Sequence, residues 1–131
     1  MNTLITDYYW FNLLVVSNGL LLLLLTINVS RLRMTRKIGV GDGGNKQLLA
    51  AIRVHSNGTE QVPMFVLIIL ALMFAGGSEA LISSLVITFT GSRLMHAYGM
   101  LFRHLRLRQI GAAITYVAQA IALVGLMLNC V

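Results

Sequence analysis

Arg53, Asn57 and Glu60 recur at the four- and three-residue spacing that stacks side chains on one face of a helix. With Arg53 as zero and about 100° per residue, Asn57 falls at about 40°, Glu60 at about −20° and Ser56 at about −60°. These four share one arc of about 100°, while His55 falls at about 200°, on the far side. A guanidinium, a carboxamide and a carboxylate on one face can hold a zwitterion. The carboxylate takes an ammonium, and the guanidinium takes carboxylates in a two-pronged fork. Farther along the chain, Arg93, His96 and Met100 lie within about 60° of one another, His104 joins them if the helix persists, and Tyr98 points about 140° away. Arg108, Ala112, Thr115 and Gln119 share a further arc of about 60°, bordered by Tyr116. Asn28 and Arg31 sit at the end of the first apolar stretch.

The elements that must carry these residues are apolar. Of the 131 residues 57% are hydrophobic and only 11% charged, with a mean hydropathy of +0.82. Soluble domains run at about 45–50% apolar and about 25% charged, so the excess apolar surface must face lipid. Spanning segments of about 20 residues are expected at about residues 10–30, 48–75, 80–101 and 110–131. The expectation is an all-α integral membrane four-helix bundle forming one domain over 1–131. Tyr8, Tyr9 and Trp10 supply an interfacial belt at the start of the first span. No base precedes that span, which argues against a cleaved signal peptide. Cys130 is the single cysteine, so no internal disulfide forms.

The connections differ in charge. The first holds Arg31, Arg33, Arg36, Lys37 and Lys46 with Asp42, and the third holds Arg103, Arg106 and Arg108. The second is Gly76, Gly77, Ser78 and Glu79, and the N-terminal tail carries only Asp7. The positive-inside rule then places both basic loops in the cytoplasm and both termini outside. The net charge of +6 gathers on one face and suits anionic lipid; nucleic acid is a poor partner for so apolar a chain. Gly41-Asp42-Gly43-Gly44 is a turn signal that lacks the Lys-Ser/Thr of a phosphate loop.

The clean apolar run in the second span, Val62 to Ala75, has only about 14 residues, too few to cross a bilayer. Part of the polar stretch before it must therefore enter the membrane. That puts Asn57 and Glu60 in the cytoplasmic third and Arg53 near the headgroups. An ionised carboxylate in hydrocarbon costs several kcal/mol unless paired, so this arc should face protein, with a base near Glu60. The result is a half-sunk, net positive pocket. Contacts of this kind also glue helices together, and the residues by themselves leave ligand site and glue both open.

Ala51-Ile52-Arg53-Val54-His55-Ser56-Asn57-Gly58-Thr59-Glu60-Gln61-Val62-Pro63 resembles the Arg-x-x-x-Asn-x-x-Glu-x-x-Pro signature of the MAPEG family, the membrane-associated proteins in eicosanoid and glutathione metabolism. Gly91 to Gly99 is similar to the third helix of that family, and Val40 to Gly44 to its small bacterial branch. The resemblance implies a homotrimer of four-helix subunits in a bacterial inner membrane. It further implies glutathione as co-substrate, bound between neighbours near the cytoplasmic side, and a lipophilic second substrate. By position it assigns glutathione contacts to Arg53, Asn57, Glu60, His55 and Arg31, sets His96 and Gln119 near further contact positions, and gives thiolate stabilisation to Arg108 or Arg106, with no metal; Arg93, like Arg53, would take a glutathione carboxylate or hold Glu60. His55 fits that assignment poorly on its helical angle unless it reaches a neighbouring subunit. Met100 and Gln61 stand where tyrosines occur in parts of the family.

The implied chemistry is attack by glutathione sulfur on a lipophilic electrophile or a hydroperoxide. A free thiol titrates near about 8.5, and an adjacent guanidinium favours its anion. Lowering the thiol by two units needs only about 2.7 kcal/mol. Two other readings are a small proton-coupled multidrug exporter and a noncatalytic assembly protein. Exporters of this size carry a glutamate inside the first helix, and no acid lies between Trp10 and Val29 here. For the homotrimer, Ala118 and Ala122 form a small-xxx-small pair, and Gly111, Ala112 and Ala113 permit close approach in the fourth helix.

Overall fold

A computed structural model describes the backbone of residues 2–130 and the side chains of residues 8–130, so the predicted role of Asp7 and the end of the last span at Val131 lie outside the described residues. Four helices follow in order: α1 (Asn2–Arg36), α2 (Lys46–Phe74), α3 (Glu79–Leu101) and α4 (Leu105–Asn129). All four expected segments are helical. Two run past the apolar stretches that announced them. α1 continues through Arg31, Arg33 and Arg36, and α4 begins at Leu105 instead of about residue 110. Arginine and lysine are good helix formers, so these basic stretches extend the helices beyond their apolar cores.

Helix starts carry recognisable caps. Asn45 accepts from the Leu48 amide at 2.9 Å to open α2, and Ser78 accepts from the Leu81 amide at 3.3 Å to open α3. Between α1 and α2, Asp42 accepts from the Gly44 amide at 3.0 Å, and Gly43 and Gly44 have φ of 55° and 73°, left-handed values that glycine adopts at no Cβ penalty. The Arg33 guanidinium ties this turn down by donating to the carbonyls of Ile38, Gly39 and Gly41, the last at 2.8 Å. Pro63 sits inside α2, which continues to Phe74.

Among the described residues α2 and α3 each touch the other three helices, whereas α1 and α4 do not meet. The bundle is thus a rhombus with α2 and α3 on its short diagonal. Its centre is the parallel stack of Phe65 on Phe89, with ring centroids 3.7 Å apart. Around that stack lie Leu14, Ile69, Leu72, Ile82, Val86, Ala118 and Ala122. The outer faces remain apolar: Leu20, Leu23, Leu24 and Ile27 on α1, Met64 and Leu67 on α2, and Ile121, Val124 and Met127 on α4 are all exposed. A bilayer would cover them.

α1, α2 and α4 are long and apolar enough to cross a membrane. α3 differs from expectation. Its length of about 35 Å suffices, but Ser83, Ser84, Thr88, Thr90, Ser92, Arg93 and His96 dilute it. Position accounts for part of this: α3 packs on all three other helices, so Ser92, Arg93 and His96 are buried against protein, whereas Ser84 and Thr88 are exposed. Ser92 and Thr115 hydroxyls lie 2.8 Å apart, buried between α3 and α4, and Asn18 of α1 donates to Thr90 at 3.0 Å.

Three small residues expected to serve assembly work inside the subunit. Ala118 and Ala122 are buried in the core, and Gly111 lies against α3. Gly111, Ala118 and Ala122 are therefore spent on packing within one chain, while Ala112 is half-buried and Ala113 exposed.

Candidate functional site

At the basic end of the bundle α2 and α4 part, and a cavity of about 370 Å³ opens between them with α3 as its back wall. Arg53, Ser56, Asn57 and Glu60 line it from α2, His96 and Met100 from α3, and Arg108, Ala112 and Tyr116 from α4. A neighbouring cavity of about 250 Å³ shares Arg53, Met100 and Arg108 and adds Lys46 and Arg103. The pair sits within reach of the membrane: Glu60 is about 21 Å along the axis from Phe74 at the far end of α2, less than the hydrocarbon thickness of about 30 Å.

Hydrogen bonds brace the site. Arg93 is buried and its Nη2 donates to Asn57 Oδ1 at 2.7 Å, joining α3 to α2. Arg93 thus spends this donor on Asn57 and not on Glu60. Glu60 shares its wall instead with Arg53, His96 and Arg108, and its side chain is exposed. His96, 5% exposed, donates from Nδ1 to the backbone carbonyl of Arg108 at 3.1 Å, joining α3 to α4. Gln119 donates to the Gln61 carbonyl at 3.3 Å, closing α4 on α2 just beyond the cavity. Two buried nitrogens at the site, Arg93 Nε and His96 Nε2, have no partner.

Two glycines set the α3–α4 distance here. A Cβ on Gly99 would lie 2.8 Å from Arg108 Cα, and one on Gly111 would lie 2.7 Å from His96 N and 2.9 Å from His96 Cα. Each glycine follows a site residue by three positions, and each packs on the backbone of the other. This reciprocal approach brings the His96 ring to the Arg108 carbonyl.

The structure therefore gathers Arg53, Asn57, Glu60, His96 and Arg108 around one cavity, with Arg93 behind Asn57. Other candidates stand apart. His55 Nε2 lies 2.8 Å from Thr26 Oγ1, on the α1 side of α2, where its helical angle places it. Arg31 donates to Asn28 at 3.1 Å and lines a separate recess with Leu32, Gln47, Leu101 and Phe102. Gln119 serves the α2–α4 seam. Arg106 is exposed and lines neither of the two joined cavities. His104 does not continue the α3 row: α3 ends at Leu101, and His104 sits at the N-cap position of α4 without a side-chain capping bond, its ring 5.8 Å from that of Tyr98. Tyr116 lines the cavity beside the arc it borders, and Lys46 and Arg103 enter the site without having been singled out for it. Their signal lies in the register of the extended α4 and in the α2 start, which the apolar pattern leaves unread.

A helical bundle with an apolar exterior and three helices long and apolar enough to cross a bilayer, with a cationic cleft holding one carboxylate at its basic end, defines a membrane protein. The chain belongs to the MAPEG family, whose model matches residues 11–128. It is 35% identical over 103 residues to the inner membrane protein YecN of Escherichia coli K12, covering 79% of each chain, and equally similar to YecN of Escherichia coli O6:H1 strain CFT073. No solved structure matches the chain.

Proposed function

We propose that this cavity binds glutathione and that the chain is a glutathione-dependent transferase or peroxidase of a bacterial inner membrane, working as a homotrimer with its basic loops in the cytoplasm. The observation that carries this reading is the convergence of Arg53, Asn57, Glu60, His96 and Arg108 on one cavity at membrane depth. Glutathione offers two carboxylates, one ammonium and one thiol. Glu60 takes the ammonium, and Arg53 takes a carboxylate. Arg93 is already satisfied at one nitrogen, so it acts by holding Asn57, whose remaining amide hydrogens donate to the peptide. Arg108 rather than Arg106 faces the thiolate, because Arg108 is in the wall of both cavities.

The volume of about 370 Å³ falls at the lower end of small-molecule sites, and the adjoining recess offers room for a second reactant. A lipophilic electrophile concentrates in the bilayer and reaches the thiolate sideways between helices. Sulfur is the nucleophile, so no protein nucleophile is needed.

The trimer is favoured by what a single subunit leaves bare. Arg53, Ser56 and Glu60 are exposed on one face of α2, at a depth where lipid would otherwise contact a carboxylate at a cost of several kcal/mol. A neighbouring copy laid over that face removes the cost and completes the cavity wall.

Calorimetry with the purified protein in detergent tests the reading. Glutathione binding is expected, and Glu60→Gln and Arg53→Ala should each weaken it by about 10- to 100-fold, the equivalent of one charge-assisted hydrogen bond. Wild-type protein indifferent to millimolar glutathione would remove the proposal.

A further inference from the structure

A second recess lies on a different face of α4. It is an apolar groove of about 310 Å³ between α3 and α4, lined by Leu81, Ser84 and Thr88 of α3 and by Ala113, Val117 and Ile121 of α4. With Ala113 as zero and about 100° per residue, Val117 falls at about 40° and Ile121 at about 80°, whereas the cleft residues Arg108, Ala112 and Tyr116 fall between about −60° and −140°. Thr88, Ala113, Val117 and Ile121 are exposed. Ser84 donates to the Ala80 carbonyl at 2.6 Å, so its hydroxyl proton is already spent within α3.

The same stripe changes character toward the basic end. Arg106 falls at about 20° and Ile110 at about 60°, so the guanidinium heads the row that forms the α4 wall of the groove. Beside it the exposed rings of Tyr98, Phe102 and His104 pack together, with centroids 4.6 Å apart for Tyr98 and Phe102 and 5.8 Å for Tyr98 and His104. Aromatic rings and an arginine above an apolar groove match the layering of a leaflet, with headgroups over acyl chains. Arg106 is exposed, and the described acids stand elsewhere: Asp42 in the α1–α2 turn, Glu60 in the cleft and Glu79 at the opposite end of α3.

We propose that this α3–α4 face binds an anionic phospholipid from the leaflet at the basic end, with one acyl chain in the groove and the phosphate on Arg106. The proposal is independent of what the cleft binds. The depths agree. Ala113 lies about 10 Å along α4 from Arg106, and Ile121 about 22 Å. With Arg106 in the headgroup layer, about 5 Å outside the hydrocarbon, the groove runs from just inside the hydrocarbon to about the midplane at 15 Å, the reach of one leaflet's chains. Guanidinium holds a phosphate in a two-pronged fork. A net anionic headgroup is preferred, because a zwitterionic one brings an ammonium to an arginine with no carboxylate beside it. A second copy in the same orientation would set its own arginines at this level, so charge favours lipid as the occupant.

Native mass spectrometry of the full chain in detergent tests this, with dioleoyl phosphatidylglycerol set against dioleoyl phosphatidylcholine, which has the same chains. Wild-type protein should retain phosphatidylglycerol in preference. Arg106→Gln should weaken that binding about five- to tenfold, while Arg36→Gln, at the far end of α1, should change it less than twofold. Ala113→Phe fills the groove and should lower retention of both lipids. Equal retention of the two lipids by the wild type, or equal losses in the two arginine variants, would overturn the proposal. So would an Ala113→Phe protein that changes its subunit stoichiometry and keeps its lipid, since a second copy would then occupy the groove. Should that variant not fold, the wild type alone decides: phosphatidylglycerol carrying a photoactivatable diazirine midway along one chain should label residues 81–88 or 113–121. Label spread evenly over the outer faces of α1 and α2 refutes the site.

Discussion

Replacing Gly111 by alanine probes the geometry on which the site depends. The new Cβ would meet only backbone: His96 N at 2.7 Å, His96 Cα at 2.9 Å and the Ser92 carbonyl at 2.9 Å. None of these can rotate away, so α3 and α4 must separate locally. Overpacking of this sort costs about 1–3 kcal/mol. Separation also weakens the His96–Arg108 bond and the Ser92–Thr115 bond, each contributing about 1 kcal/mol. Alanine returns about 1 kcal/mol of helix propensity. The net expectation is a loss of about 2–3 kcal/mol. Gly91→Ala is the internal control: it lies in the same helix as His96 with nothing within 4 Å of its Cβ, so it should be neutral or stabilising by up to about 1 kcal/mol. Denaturant unfolding in mild detergent, followed by circular dichroism, reads both. Gly111→Ala unfolding at the same midpoint as Gly91→Ala would refute the claim that a backbone contact sets this crossing.

Arg108→Ala should let the bound thiol return toward its free value of about 8.5. Because the arginine lowers that value, the loss is greatest at neutral pH, about a hundredfold for a two-unit shift, and fades as pH rises; Arg106→Ala should leave the pH profile of conjugation as it is. His55→Ala should cost about 1 kcal/mol of stability through the lost Thr26 bond while glutathione affinity by calorimetry stays within about twofold. A large affinity loss in that variant would return His55 to the site.

The helical period makes the α2 arc legible without a structure, because relative angles along one helix do not depend on what surrounds it. Arg53, Asn57 and Glu60 do share a face, and His55 does lie opposite. Partner choice is another matter. Arg93 joins Asn57 and leaves Glu60 to the cavity because that pairing depends on the α2–α3 offset, which no local pattern encodes. The choice between Arg106 and Arg108 is hidden for a related reason. An arginine cluster reads as a loop, so the true start of α4 at Leu105, and with it the rotation of both side chains, is set by where α3 ends. Gly99 and Gly111 are visible as letters, but their meaning requires knowing that each faces the other helix.

The seam between α2 and α4 bears on permeability. It is parted around the cleft, closes at Gln61–Gln119, and from there to Phe74 is filled by the block built on Phe65, Ile69, Leu72, Ala118 and Ala122. About 20 Å of dry packing therefore lies below the cleft floor along α2. The cleft is a blind inlet: charged molecules can enter from one leaflet and must leave by it, and the barrier to ions through the subunit stays intact however polar the mouth becomes.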